Sequence, residues 1–183
     1  MNRGLYEIMG ILYFFAPAYL GNMSPALVRR WFSGLAVPID AGRTLAGRRI
    51  LGDHKTWRGL LAGIAVGALV YELQRLAFQA GLARDLALMD YSARPVVPGI
   101  LMGLSAGVGD AVKSFFKRRL GIAPGRPWLI FDQLDFLVAA YVFMSLVYVP
   151  PLLMTLASVP VILLGHVIVT TLGYWLGLKD AWV

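Results

Sequence analysis

The chain has 183 residues, of which 58% are hydrophobic and 15% are charged, and it carries a formal net charge of +7 and no cysteine. A soluble core cannot bury that much apolar surface in so short a chain, so lipid must solvate part of it. The lack of cysteine excludes disulfides, thiolate nucleophiles and cysteine-ligated metals.

Apolar runs long enough to be membrane helices recur along the chain. They cover residues 5–20, 59–80, 95–112, 134–149 and 152–178. No repeat or low-complexity tract marks a second domain. The sequence therefore predicts an all-α integral membrane protein with about five transmembrane helices, formed by a single domain over residues 1–183.

Basic residues fall mostly on one side of these runs. Of the 17 lysines and arginines, thirteen lie in the polar segments 22–58 and 113–133 or after the fifth run, and four lie on the other side. Because positive loops stay inside, we expect the amino terminus outside and the carboxyl terminus in the cytoplasm. The polar surface of this multi-pass protein would then face the cytoplasm from the cell membrane. Anionic headgroups or a polyanionic small substrate fit this placement better than nucleic acid.

The start of segment 22–58 has an amphipathic pattern. From Pro25 onward, large apolar residues share one helical face beside two arginines: Leu27, Val28, Trp31, Phe32 and Leu35. Either a helix lying in the membrane interface or an ordinary helix end with arginines reaching the headgroups fits this pattern. Asn22, just before it, would cap a turn or reach a polar chamber.

Glycine recurs every fourth residue in the second and third runs. The positions are Gly59, Gly63, Gly67, Gly99, Gly103 and Gly107. Such ridges let helix backbones approach closely in lipid, so we favour helix packing over a ligand role. The pattern leaves open whether the packed helices belong to one chain or to a homodimer.

Charged residues gather around the end of the third run. If that run stays helical, Asp110, Lys113, Ser114 and Lys117 share one face. Asp132 and Asp135 share a face at the start of the fourth run. The intervening Pro124-Gly125-Arg126-Pro127 forces a turn that can bring the two faces together.

Carboxylates and lysines together at a membrane boundary are costly and by default indicate function. Carboxylates beside phosphate-binding cations suit Mg²⁺, which prefers oxygen ligands and shares them with substrate phosphates. The alternative is that Asp132 and Asp135 neutralise nearby arginines and anchor the helix.

A second polar cluster, Gly52-Asp53-His54-Lys55-Thr56-Trp57-Arg58-Gly59, precedes the second run. Lys55, Thr56, Arg58 and backbone N–H groups at a helix start can wrap phosphate oxygens. A positive-inside anchor with an interfacial tryptophan explains the same residues.

These motifs resemble the CTP:phosphatidate cytidylyltransferase superfamily and, more closely, its archaeal branch, the CDP-archaeol synthases. The matching residues are Lys113-Ser114-Phe-Phe-Lys117-Arg118, Pro124-Gly125 and Asp132-Gln133-Leu-Asp135. The loop from Gly52 to Gly59 and the short length look like the archaeal branch. Where the diacylglycerol branch has Lys-Asp and His-Gly-Gly, this chain has Arg119-Leu and Arg126-Pro127-Trp128.

The resemblance implies an enzyme that joins CTP to 2,3-bis-(O-geranylgeranyl)-sn-glycerol 1-phosphate with magnesium as cofactor, giving CDP-archaeol and pyrophosphate. By the match, Asp110, Asp132 and Asp135 are the metal ligands, and with Lys113 and Lys117 they form the catalytic set. We expect further residues to bind CTP or its phosphates: Asn22, Asp53, His54, Lys55, Thr56, Arg58, Ser114, Arg118, Arg119 and Gln133.

Other functions remain open at this stage. One alternative keeps the reaction but changes the lipid to ester-linked phosphatidate. A small transporter would use intramembrane charges to line a path, but here the charges cluster at one face. A CDP-alcohol phosphotransferase is disfavoured, because its longer string of aspartates is absent.

Overall fold

The computed structural model describes residues 3–28, 31–123, 126, 128 and 131–175. Five α-helices form its framework and confirm the predicted all-helical architecture. They are α1 (Arg3–Leu27), α2 (Trp57–Gln79), α3 (Val97–Arg119), α4 (Phe131–Met144) and α5 (Leu152–Trp175). The predicted end of the fifth run at residue 178, and Pro124, Gly125 and Pro127, lie outside the described residues.

The helices pack around a core shared by α1, α3 and α4. Phe14 and Phe15 of α1 meet Met102 and Ala106 of α3 and Phe136 of α4, all buried. The most extensive contacts join α2 to α3, α1 to α2 and α3 to α4, whereas the contacts of α5 with α1 and α4 are smaller. The first four helices therefore position any site between them.

Glycines set the close approach of α2 and α3, as predicted. A Cβ added at Gly67 would lie 2.6 Å from the carbonyl oxygen of Gly99. Gly21 of α1 joins the contact, because a Cβ there would lie 3.0 Å from the Gly63 carbonyl oxygen. The glycine ridges thus pack helices within one chain, and the homodimer stays a prediction.

The outer surfaces of the helices are apolar. Large exposed side chains on them include Leu12, Leu69, Val138, Leu153 and Leu164. By length and hydropathy, α2 is the one helix in the described part of the chain that qualifies as a complete membrane span, and Leu134–Met144 and Leu152–Gly165 are shorter apolar stretches. With 14 residues, α4 is about 21 Å long and falls short of a bilayer core of about 30 Å. The count of five spans stays a prediction.

The predicted interfacial helix is wrong within the described residues. Helix α1 ends at Leu27, and a single 3-10 turn occupies Ser33–Leu35. Phe32 has a φ of 54°, and this left-handed backbone prevents a continuous helix. Trp31 and Phe32 are nevertheless exposed apolar side chains, in agreement with the alternative of a helix end at the membrane interface.

A small hairpin between α1 and α2 was not predicted. Strands β1 (Thr44–Leu45) and β2 (Arg48–Arg49) pair antiparallel. Ala46 and Gly47 connect them with φ values of 50° and 70°. Two-residue hairpin turns of this kind need positive φ at both positions, which Asn-Gly signals more clearly than Ala-Gly.

The glycine contact yields a stability prediction. Gly67→Ala should lower the thermal unfolding midpoint of the purified protein, because the new methyl group overlaps the α3 backbone and overpacking costs about 1–3 kcal/mol. Ala65→Leu, which adds more bulk on the exposed face of the same helix, is the matched control. An unchanged midpoint in Gly67→Ala would contradict the close approach.

Candidate active site

The predicted charged face of α3 forms and meets α4. Because α3 continues as a helix to Arg119, Asp110, Lys113 and Lys117 lie along one side of it. Helix α4 begins at Phe131 and carries Asp132 and Asp135 in its first turns. Gly109 permits the approach, since a Cβ there would lie 2.5 Å from the Asp135 carbonyl oxygen.

Lys113 lies at the centre of this cluster. Its Nζ is 3.2 Å from Asp110 Oδ1, 3.2 Å from Asp132 Oδ1 and 2.7 Å from Asp135 Oδ2. The Lys113 side chain is 14% exposed and that of Asp135 is 7% exposed. One ammonium therefore bridges the two helices through three carboxylates.

Lys117 extends the network by one helical turn. Its Nζ lies 3.2 Å from Asp132 Oδ1 and donates to the backbone carbonyl of Arg126 at 2.6 Å. Asp132 also accepts a hydrogen bond from the backbone N–H of Trp128 at 2.6 Å. These bonds tie the segment before α4 to the end of α3.

The second predicted cluster joins the first through Lys55, whose Nζ pairs with Asp110. Thr56 caps α2, because its hydroxyl oxygen accepts the Gly59 N–H at 3.2 Å. A small cleft with a cavity volume of about 60 Å³ opens beside this pair between α1, α2 and α3. Its polar lining comes from Asn22, His54, Lys55, Thr56 and Asp110.

An apolar groove lies next to the polar cleft. Its lining is Ile39, Leu51, Leu60, Gly107, Val108, Ala111, Val112, Phe115 and Phe116. Ile39, Leu60 and Gly107 line both spaces and so form a common wall. A charged space and an apolar space therefore lie side by side.

Asp40 holds together the loop that carries Lys55. Its buried carboxylate accepts from Arg49 Nη2 at 2.7 Å and from the backbone N–H groups of Leu51 and Gly52 at 2.9 and 3.0 Å. The Arg49 guanidinium holds the pKa of this carboxyl well below its usual range, against the opposing effect of burial, and the backbone N–H groups lower it further.

Two arginines bind the hairpin to the end of α3. Arg48 Nη1 donates to the carbonyls of Arg118 and Arg119 at 3.1 and 2.9 Å. In return, the Arg119 guanidinium donates to the carbonyls of Leu45, Arg48 and Arg49 at 2.5, 3.3 and 2.7 Å. The loop is therefore fixed relative to the lysine face of α3.

Comparison with known proteins agrees with this geometry. The profile of the family described as "CarS-like: CDP-archaeol synthase" matches residues 5–183. The CDP-archaeol synthase of Methanospirillum hungatei JF-1 is 39% identical over 171 residues, covering 89% of this chain and 96% of the relative. That of Pyrococcus furiosus is 36% identical over 172 residues, covering 93% and 90%. The chain belongs to the CDP-archaeol synthase family.

A solved structure agrees with the assignment. It is described as "Structural insight into an intramembrane enzyme for archaeal membrane lipids biosynthesis", has a TM-score of 0.66 and 35% identity, and covers 86% of this chain and 90% of that chain. Together with the apolar outer surface of the helices, membership of the CDP-archaeol synthase family places the chain in a membrane.

Several of the predicted site residues lie close together, in the ion network or in the cleft beside it. The five members of the predicted catalytic set form one ion network, and Lys55 joins it directly. Asn22 was expected chiefly to cap a turn, but α1 continues past it to Leu27, and Asn22 lines the cleft instead. His54 and Thr56 line the same cleft. Their roles in binding CTP stay predictions.

Other predicted phosphate ligands have different contacts. Arg119 donates to the hairpin carbonyls, and its predicted phosphate role stays a prediction. Asp53 is 75% exposed and pairs with Arg49 at 2.6 Å. Arg58 donates to the carbonyl of Trp31 at 3.1 Å. None of these contacts involves Lys55, Lys113 or Lys117.

Two more predicted residues lie within α3. Ser114 is buried. Arg118 has a buried Nε without a hydrogen-bond partner among the described residues. The side chain of Gln133 lies outside the described residues.

Sequence reasoning missed Asp40, Arg48 and Arg49. The signal was weak: glycines at 42, 47 and 52 separate short polar runs, which indicates successive turns. Gly42, Gly47 and Gly52 all have positive φ. Nothing in that pattern identifies Asp40 as the residue around which the turns fold.

The donor chemistry of the cluster fits magnesium. Oxygens from three carboxylates surround one cation, the Lys113 ammonium, and carboxylate oxygens are ligands that Mg²⁺ prefers. Within residues 3–28, 31–123, 126, 128 and 131–175, no group of three or more His, Asp or Glu side chains is arranged to hold a metal. Lys113 separates the carboxylates, and the metal assignment stays a prediction.

The Asp40 contacts predict a local loss of order. Asp40→Asn should speed amide hydrogen exchange across residues 40–56 by about tenfold or more, because hydrogen bonds to a buried charge are lost. Since its pKa is depressed, the carboxylate stabilises the loop at neutral pH, and this contribution disappears only as the pH falls below about 3.9. Asp53→Asn, an exposed partner of the same arginine, should have little effect. Equal exchange in both variants would contradict this role of Asp40.

Proposed function

We propose that this chain transfers the cytidylyl group of CTP to 2,3-bis-(O-geranylgeranyl)-sn-glycerol 1-phosphate, forming CDP-archaeol and pyrophosphate. Membership of the CDP-archaeol synthase family supports the reaction. The observation that carries it in the structure is the shared wall of Ile39, Leu60 and Gly107 between a charged cleft and an apolar groove. That pairing suits a lipid phosphate meeting a nucleotide.

The chemistry needs charge neutralisation more than proton transfer. A lipid phosphate oxygen attacks the α-phosphorus of CTP, the new P–O bond forms, and the bond to the β-phosphate breaks with release of pyrophosphate. A phosphate monoester is already largely ionised at neutral pH, so no general base is required. The protein must align the two phosphates and offset their charge.

Lysines are the phosphate ligands in this proposal. Lys55, Lys113 and Lys117 each pair with a carboxylate in the structure. Incoming phosphates compete with those carboxylates for the ammonium groups, and flexible lysine stems allow the exchange. Magnesium, held by Asp110, Asp132 and Asp135, would supply neutralisation of the transferring phosphates.

Topology completes the proposal. We infer a multi-pass protein of five membrane helices with the amino terminus outside and the site facing the cytoplasm, because basic residues concentrate beside the site. CTP then reaches the cleft from the cytoplasm, and the lipid arrives laterally with its phosphate at the interface. The geranylgeranyl chains would lie along the groove near Val112 and Phe116.

Removing single carboxylates tests the catalytic set. Asp110→Asn, Asp132→Asn and Asp135→Asn should each lose about 100-fold or more of turnover, because each weakens the charge stabilisation of the transferring phosphates. The assay uses purified protein with labelled CTP, magnesium and the archaeal lipid phosphate, with thermal unfolding as the folding control. Near wild-type turnover in all three would refute the site.

The same assay separates the alternatives. Ester-linked phosphatidate offered side by side would be the preferred substrate of a CDP-diacylglycerol synthase. Uptake into proteoliposomes without CTP turnover would favour a transporter.

Filling the groove tests the lipid position. Val112→Trp should raise the KM for the geranylgeranyl substrate about tenfold, since burial of apolar chain area is lost, and leave the KM for CTP unchanged. The effect should be smaller with a short-chain lipid phosphate. Val142→Trp, which changes an exposed valine on α4, is the control. If only the KM for CTP changed, the lipid chains would lie elsewhere.

A further inference from the structure

Lys113 differs from the other lysines of the cluster in the number of carboxylates that it contacts. Its Nζ lies within 3.2 Å of Asp110, Asp132 and Asp135. In the described part of the chain, Lys55 pairs with Asp110 alone and Lys117 with Asp132 alone. Among the described residues, Lys113 is thus the one cation that contacts all three.

This position is the one a divalent cation would need. Burying several carboxylates without a counter-ion is costly, and Asp135 is 7% exposed. An ammonium group and Mg²⁺ bind the same carboxylate oxygens, so they cannot both occupy the centre of the cluster. Lysine has a flexible four-carbon stem and can reach another anion when one arrives.

We propose that Lys113 is an internal counter-ion that blocks metal binding until a nucleotide phosphate takes over its ammonium group. The inference rests on the proposed function, because it requires a polyphosphate substrate at this site. It makes metal and nucleotide binding mutually dependent: each strengthens the other by the same factor. Free divalent cation should therefore bind the protein weakly without nucleotide.

The test measures Mn²⁺ binding to the purified full chain by electron paramagnetic resonance, without nucleotide. Lys113→Met should bind Mn²⁺ at least about tenfold more tightly than wild type, within the usual range of coupling between sites. Lys55→Met and Lys117→Met remove the same charge but free one carboxylate each, so they should tighten binding much less. Lys113→Gln serves as a second neutral variant if Lys113→Met does not fold.

A measurement on the unmutated protein gives an independent check. A CTP analogue with a methylene bridge between the α- and β-phosphates should tighten Mn²⁺ binding to wild type about tenfold. This gain is counted beyond the Mn²⁺ binding of the free analogue. This gain should shrink in Lys113→Met.

Three results would overturn the proposal: unchanged Mn²⁺ affinity in both Lys113 variants, equal tightening in all three lysine-to-methionine variants, or no gain with the analogue in wild type. CTP turnover measured on the same wild-type preparation separates this failure from that of the proposed function. Absent turnover refutes the function. Active enzyme that gives any of the three Mn²⁺ results above refutes only the role of Lys113.

Discussion

Ionised carboxylates beside a membrane must be paired with cations, and this requirement organises the whole site. Lys113 satisfies it for Asp110, Asp132 and Asp135 together, with Nζ–oxygen distances of 2.7 to 3.2 Å. Because these residues come from two helices, the ion network also holds α3 against α4. The same contacts that join the two helices thus gather the groups that the proposed reaction needs.

Backbone geometry makes that pairing reachable. Gly109 lets the α4 backbone approach α3, and the ridge of Gly63, Gly67 and Gly103 does the same for α2 and α3. The hairpin loop then brings Lys55 to Asp110, held by Asp40 inside the loop and by Arg119 from α3. Membrane helices gain little from hydrophobic association with one another, so small residues and polar bonds must supply these contacts.

Periodicity explains what the sequence could predict. The spacing of Asp110, Lys113 and Lys117 places them on one face of any helix, and glycine spacing likewise indicates a packed ridge. Long arginines were harder to interpret, since Arg119 reaches backbone carbonyls of a hairpin whose Ala-Gly turn gave little signal. The interfacial helix failed because α1 ends at Leu27 and the left-handed backbone of Phe32 prevents a continuous helix through this stretch, and no pattern of apolar residues encodes that backbone.

The balance of charge at the site bears on the metal that the proposed reaction includes. The network contains the lysines 55, 113 and 117 and the aspartates 110, 132 and 135, so its formal charges cancel. Each phosphate monoester contributes about −1.5 to −2, and a triphosphate adds more. Lysines already paired with carboxylates cannot offset that charge unless the carboxylates gain another partner. In the proposed reaction, a divalent ion on the aspartates would meet this need and release the lysines to the phosphates.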